Sequence, residues 1–219
     1  MKYNPQIHNR RSIRLKGYDY SRQGLYYITI CVQNRLCLFG DVVNGEMILN
    51  DAGQMVEQWY FELENKYPDK KCHDLIVMPN HIHCIVENKP LLNVDVMDNN
   101  VLDDTVLDAH VGTSLRGRPN NERGRPNDEP PEHLQQQYGM DNKKYNATIG
   151  DAMDWFKTMV TNGYIRGVKQ FNWTRFDKKL LQRNYWEHII RNDTEYARIA
   201  DYINDNPKKW DNDKLNSNK

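Results

Sequence analysis

Two histidines one residue apart, His81 and His83, are the side chains of this sequence best placed to share a piece of chemistry. They lie in Asp74-Leu75-Ile76-Val77-Met78-Pro79-Asn80-His81-Ile82-His83-Cys84-Ile85-Val86-Glu87. Two short apolar runs flank a Pro79-Asn80 breaker, the pattern of two strands joined by a tight turn. Side chains alternate along a strand, so His81, His83 and Ile85 share one face, while Ile82, Cys84 and Val86 share the other, apolar one. Two imidazoles arranged this way can reach one metal ion or one anion together. The same spacing also suits two half-buried sheet histidines with no ligand at all.

A second pair sits near the end of the chain. Asn192 or Asp193 is suited to cap a helix that stops at Asn206, because Pro207 follows. Tyr196, Ile199, Ala200 and Ile203 form its apolar stripe. Asn206 falls only about 20° around the axis from Ile199, where a helix built solely for packing would carry an apolar residue. Tyr202 lies one turn before Asn206, so the two side chains are neighbours. One reading has a tyrosine hydroxyl and an amide oxygen converging on whatever the helix packs against. The other has Asn206 as a plain cap and Tyr202 with its ring on the core and its hydroxyl in water.

The elements that must position these residues are legible in order. Leu25 to Val32, β-branched and aromatic, is a buried strand. Leu36 to Val43 and Glu46 to Leu49, split by Asn44-Gly45, form a hairpin. Asn50 or Asp51 caps a helix to about Tyr67 with Met55, Trp59 and Leu63 inward. A second helix follows Thr148 through Met153, Phe156, Met159, Val160 and Ile165, and Gln182 to Ile190 alternates as a last strand. Strands, helix, strands, helix, strand, helix predict an α+β sandwich of ferredoxin-like type, with helices over one face of an antiparallel sheet. Residues 1–88 and 148–210 make a single domain on this reading. Residues 89–147, rich in Asp, Asn, Pro and Gly, with Gly117-Arg118-Pro119-Asn120 repeated at Gly124-Arg125-Pro126-Asn127, read as a long flexible polar insertion. Residues 211–219 read as a disordered tail.

Thirty Lys and Arg balance thirty Asp and Glu, yet the charge is segregated. Residues 1–37 hold seven Lys/Arg, including Arg10, Arg11, Arg14 and Lys16, against the single acid Asp19; residues 157–191 hold eight against two. Residues 91–110 hold five Asp and no Lys or Arg. Basic flanks suit a polyanion, and equally a solvated surface. Cys31, Cys37, Cys72 and Cys84 form no Cys-x-x-Cys pair, which argues against a structural zinc site. No apolar run approaches the roughly 20 residues of a membrane span and no signal peptide is evident, so no membrane partner and a cytoplasmic location are expected.

Three segments, taken together, resemble a known family. They are Met78-Pro79-Asn80-His81-Ile82-His83-Cys84-Ile85, then Gln182-Arg183-Asn184-Tyr185-Trp186-Glu187-His188-Ile189-Ile190-Arg191-Asn192, then Asp201-Tyr202-Ile203-Asn204-Asp205-Asn206-Pro207. In this order they resemble the REP-associated tyrosine transposases, domesticated relatives of the single-tyrosine transposases of small bacterial insertion sequences. The resemblance covers roughly residues 22–88 and 148–210. It implies a transposase-like, metal-dependent endonuclease and strand transferase for single-stranded or hairpin DNA, working as a monomer or homodimer through a covalent 5′-phosphotyrosine. His81 and His83 match the pair that binds Mg²⁺ or Mn²⁺, Tyr202 matches the nucleophile, and Asn206 matches the third metal ligand, where insertion-sequence relatives tend to have Gln. It assigns no catalytic role to Tyr185 or His188. Lys157, Arg183 and Arg191 are candidate DNA contacts. Trp173, Phe176, Tyr185 and Trp186 are available either to stack on bases or to pack in the core. The alternative is a DNA-binding regulator of the same fold without cleavage.

Overall fold

The computed structural model describes residues 17–89, 144 and 146–216. All of them fall within one compact unit, that of residues 1–90 and 141–219. Arg10, Arg11, Arg14 and Lys16 of the basic N-terminal flank and nearly all of the expected insertion, 89–147, lie outside the described residues.

In chain order the elements are β1 (Gly24–Cys31), β2 (Gly40–Val43), β3 (Glu46–Leu49), α1 (Asp51–Lys66), β4 (Lys70–Met78), β5 (His81–Asn88), α2 (Ile149–Gln170), β6 (Trp186–Ile190), α3 (Asp193–Asp205) and a closing 3-10 turn, Pro207–Asn212. Four strands form one sheet in the order β4-β5-β1-β6, and every neighbouring pair is antiparallel. Leaving aside the separate β2–β3 hairpin, the chain runs strand, helix, strand, strand, helix, strand, the ferredoxin-like order expected. The hairpin turns on Asn44 (φ 53°) and Gly45 (φ 77°), the pair of left-handed residues that a two-residue turn with matching strand twist demands. Its first strand starts at Gly40, later than the apolar run had implied.

Local chemistry sets the helix boundaries. Asn50 caps α1 by accepting from the Gly53 N–H at 3.0 Å. Thr148 and Asp151 bond reciprocally to each other's backbone N–H and open α2 with a capping box. Both helices lay their apolar faces on one side of the sheet. There Met55, Val56, Trp59, Tyr60 and Leu63 of α1 and Met153, Phe156 and Val160 of α2 meet Tyr26, Ile28 and Ile30 of β1 and Ile82, Cys84 and Val86 of β5. Each large side chain fully buried here contributes about 1.5–3 kcal/mol.

The third helix departs from the expected layering. It covers the opposite face, where Ile199 and Ile203 join Ile85 and Ile190, with Leu25, Tyr27, Ile76 and Tyr196 around them. The reason is visible in β1: Leu25, Tyr27 and Thr29 alternate with Tyr26, Ile28 and Ile30, so this second face is also partly apolar and needs cover. Two polar latches fix the helix. The Tyr196 hydroxyl donates to Asp74 Oδ2 at 2.7 Å, where β4 shifts register between Cys72 and Leu75. His188 Nε2 of β6 donates to Glu195 Oε1 at 2.7 Å.

The C-terminal segment also departs from expectation. Residues 211–216 are seated on the protein, held by buried Trp210 and by bonds to the Pro79-Asn80 turn described below; only 217–219 lie beyond the described residues.

Because four isoleucines form the whole of the buried cluster under α3, Ile203→Ala should cost about 2–5 kcal/mol. It should also raise amide exchange across 193–205 well before α1 opens. Hydrogen exchange by mass spectrometry checks this; uniform acceleration of both helices would contradict it.

Candidate active site

The tight turn expected at Pro79-Asn80 is built into its surroundings from both sides. The Pro79 carbonyl accepts from the Leu38 and Phe39 N–H groups, and the Asn80 carbonyl from Val32 N–H at 2.8 Å. The turn therefore starts β5 with His81 in a fixed position, paired to Met78 on one side and Cys31 on the other.

Both imidazoles are sealed from water, His81 at 0% and His83 at 2% exposure, with ring centres 4.6 Å apart. One nitrogen of each is committed to the protein. The Asn80 amide donates from Nδ2 to the carbonyls of Arg35 (3.2 Å) and Leu215 (2.8 Å), so its Oδ1 is the atom facing His81 Nδ1 at 2.8 Å. An amide oxygen only accepts, hence the proton of His81 is on Nδ1 and the lone pair is on Nε2. His83 Nδ1 faces two hydroxyls, Tyr27 and Thr29, each at 2.8 Å. A hydroxyl both donates and accepts, so these contacts suit either tautomer, and with the proton on Nδ1 the lone pair is on Nε2.

The remaining nitrogens, His81 Nε2 and His83 Nε2, are buried without a hydrogen-bond partner, and so is Asn206 Oδ1. Burial pushes the His81 pKa down to about 4, against the opposing pull of Asp213. Burial also holds His83 well below its ordinary value, with His81 adding to the effect. Both rings are neutral at pH 7 and present lone pairs. Leaving such groups unpaired costs about 1–3 kcal/mol each, and one cation bonded to all three relieves the whole penalty. Among the described residues no group of three or more His, Cys, Asp or Glu is arranged around a metal position. Asn206 Oδ1, a neutral amide oxygen, could join the two histidines as a donor to a hard divalent ion such as Mg²⁺ or Mn²⁺.

The helix α3 brings in the other half within the same chain. Asn206 is its C-cap residue and is buried at 1%, whereas Tyr202, one turn earlier, is 41% exposed. Both readings of Asn206 thus hold together: it ends the helix, and its side chain points inward. The Tyr202 ring stands edge-on to His83 at 5.3 Å and to Tyr27 at 6.4 Å. Burial and then the Asp213 charge raise the Tyr202 pKa, while hydrogen bonds from Asn206 and Tyr27 act against them. The phenol is neutral at physiological pH, with its oxygen beside the paired histidines.

Tyr202 opens onto a cavity of about 480 Å³ lined also by Tyr27, Trp186, His188, Arg198 and Lys209. None of the candidate DNA contacts lines it. Lys157 projects from α2, on the opposite face, and its ammonium donates to the Arg183 carbonyl at 2.7 Å; Arg191 is exposed at the start of α3, its N–H held by Glu195. Of the four aromatics open to two roles, Trp173, Phe176 and Tyr185 pack on the main core, and Trp186 stands 56% exposed at the cavity. Arg198 and Lys209, in the helix and turn flanking Tyr202, are the cations the sequence reading passed over. Thr29, Tyr27 and Asn80, which orient the histidines, were also missed. Only Asn80, adjacent to His81, carried a local signal.

No family model matches the chain. An uncharacterized protein of Haemophilus influenzae is 33% identical over 217 residues, 98% of this chain and 97% of that one. A second Haemophilus influenzae protein, described provisionally as a REP-associated tyrosine transposase, is 34% identical over 80 residues, 35% of this chain and 43% of its own length. Among solved structures, a REP-associated tyrosine transposase bound to a REP hairpin aligns with a TM-score of 0.45 at 17% identity, over 90% of this chain and 74% of that one. The chain belongs to one family with the full-length Haemophilus influenzae relative, and it resembles the REP-associated tyrosine transposases.

Proposed function

We propose that this protein is a metal-dependent DNA strand-transfer enzyme that cuts single-stranded or hairpin DNA through a covalent bond to Tyr202. One observation carries the reading: His81 Nε2, His83 Nε2 and Asn206 Oδ1 are buried without a hydrogen-bonding partner, and the half-exposed ring of Tyr202 packs on His83. A Mg²⁺ or Mn²⁺ ion held by those three atoms supplies charge neutralisation at the scissile phosphate.

The chain's own residues do the rest. Thr29 and Tyr27 hold the His83 ring, and Asn80 holds the His81 ring, leaving the Nε2 atoms as the ones that would serve an ion. Arg198 and Lys209 neutralise flanking phosphates, and the open face of Trp186 takes a base. The Tyr202 oxygen attacks phosphorus, forming an O–P bond to the 5′ side as the P–O3′ bond breaks. The phenolic proton ends on the released 3′ oxygen, through solvent. Because a phenolate leaves readily, a 3′ hydroxyl can later displace it and restore a phosphodiester, so the bond energy is kept for rejoining.

Three results test this. Incubation with Mg²⁺ and a single-stranded hairpin should yield an adduct that survives denaturation and disappears with a chelator. Tyr202→Phe should abolish the adduct while hairpin affinity stays within about threefold, since only one hydroxyl is lost; Tyr185→Phe should leave the adduct, and its loss there would move the nucleophile. Asn80→Ala, which frees the His81 tautomer, should weaken Mn²⁺ binding about 10–100-fold, measured by calorimetry. Hairpin binding with no adduct under any metal would leave a DNA-binding regulator of this fold.

A further inference from the structure

The three donors just described are all neutral, and a dication in a buried neutral site gives up hydration without charge compensation. One carboxylate stands next to them. Asp213 follows the closing 3-10 turn, and its Oδ2 lies 4.0 Å from His81 Nε2, the bare nitrogen. Two donors of one octahedral ion, each bonded at about 2.1 Å, are separated by about 3 Å in neighbouring positions and about 4.2 Å in opposite ones. The observed separation is close to the value for opposite positions; His81, His83 and Asp213 do not already surround one metal position, so ligation would draw the carboxylate in toward the histidines.

The carboxylate is held there. Its backbone N–H donates to the Trp210 carbonyl at 3.0 Å, and Trp210 itself is buried with its ring 5.9 Å from that of His81. Asp213 Oδ1 accepts from Leu215 N–H at 2.7 Å, which turns Oδ2 toward the histidine. The strap is then tied down twice, Leu215 carbonyl to Asn80 Nδ2 and Lys214 carbonyl to Arg35 Nη1, both at 2.8 Å. Asn80 therefore grips His81 with its oxygen and the Asp213 strap with its nitrogen. A single amide sets the relative position of the two.

From this geometry we propose that Asp213 is a fourth protein ligand of the divalent ion, giving the site a carboxylate oxygen and a negative charge that His81, His83 and Asn206 lack. The proposal rests on the metal reading of the site. It adds a function to a segment that the sequence marks only as a polar tail.

The test is metal binding by the full chain without DNA, followed by calorimetry with Mn²⁺ and Cd²⁺. Asp213→Asn keeps an oxygen for the Leu215 N–H and removes only the charge; it should weaken Mn²⁺ binding at least about tenfold. Asp213→Cys should bind Cd²⁺ about tenfold more tightly than Asp213→Ser, because a thiolate in the coordination sphere prefers the softer ion. That swap of preference needs direct ligation and would not follow from a tail that merely packs. Unchanged Mn²⁺ affinity in Asp213→Asn, alongside its loss in His83→Ala, overturns the proposal and leaves the three-ligand site intact. A weakened Asp213→Asn with no Cd²⁺ gain in Asp213→Cys also overturns it, assigning Asp213 to anchoring the strap. Absence of Mn²⁺ binding by the unaltered protein overturns both the proposal and the metal reading beneath it.

Discussion

The structure around the site depends on one constraint: two histidines are buried with one nitrogen of each satisfied by the protein and the other facing a position with no hydrogen-bonding partner. An imidazole can satisfy both its nitrogens or be left in water at little cost; here neither holds. The half that is satisfied is specified by Asn80, Thr29 and Tyr27, from one strand and a turn. The bare half is buried, as is Asn206 Oδ1, at the end of a helix distant in sequence. The hairpin turn, the strap around residues 32–39 and the closing residues 213–216 all hold Asn80 or its neighbours in place.

The two faces of the sheet are unequal. The face under α1 and α2 carries the large core and most of the stability. The face under α3 has four buried isoleucines, two polar latches and the site. The rigid side supplies the histidines through β5, whose outward residues His81 and His83 alternate with inward Ile82 and Cys84. The tyrosine arrives on the lightly anchored side.

Much of the fold is legible in the chain. Asn44-Gly45, Asn50, Thr148, Pro79-Asn80 and Asn192 mark turns and caps by local chemistry alone, and each acts where expected. The alternation in β5 correctly divides its residues between core and site. Less legible was the second covered face: Leu25, Tyr27 and Thr29 read simply as part of a buried run, and which helix covers them is a matter of packing. The basic residues mislead for the same reason. Lys157 counts as a free cation in a charge tally, yet its ammonium is bonded to the Arg183 carbonyl, while Arg198 and Lys209 reach the cavity from positions with no motif of their own.

What the sequence determines by itself is what depends on near neighbours: the strand pattern that puts His81 beside His83, and the helical spacing that sets Tyr202 beside Asn206. These follow from periods of two and 3.6 residues, fixed by backbone geometry. Only the tertiary structure decides that Tyr202 packs on His83, that His81 Nε2, His83 Nε2 and Asn206 Oδ1 are all buried without a hydrogen-bonding partner, and that Asp213 stands 4.0 Å from His81. That arrangement depends on which apolar face a helix finds and on long-range bonds such as Asn80 to Leu215. No local period encodes contacts of that sequence separation; burial and hydrogen-bond satisfaction select them when the chain packs.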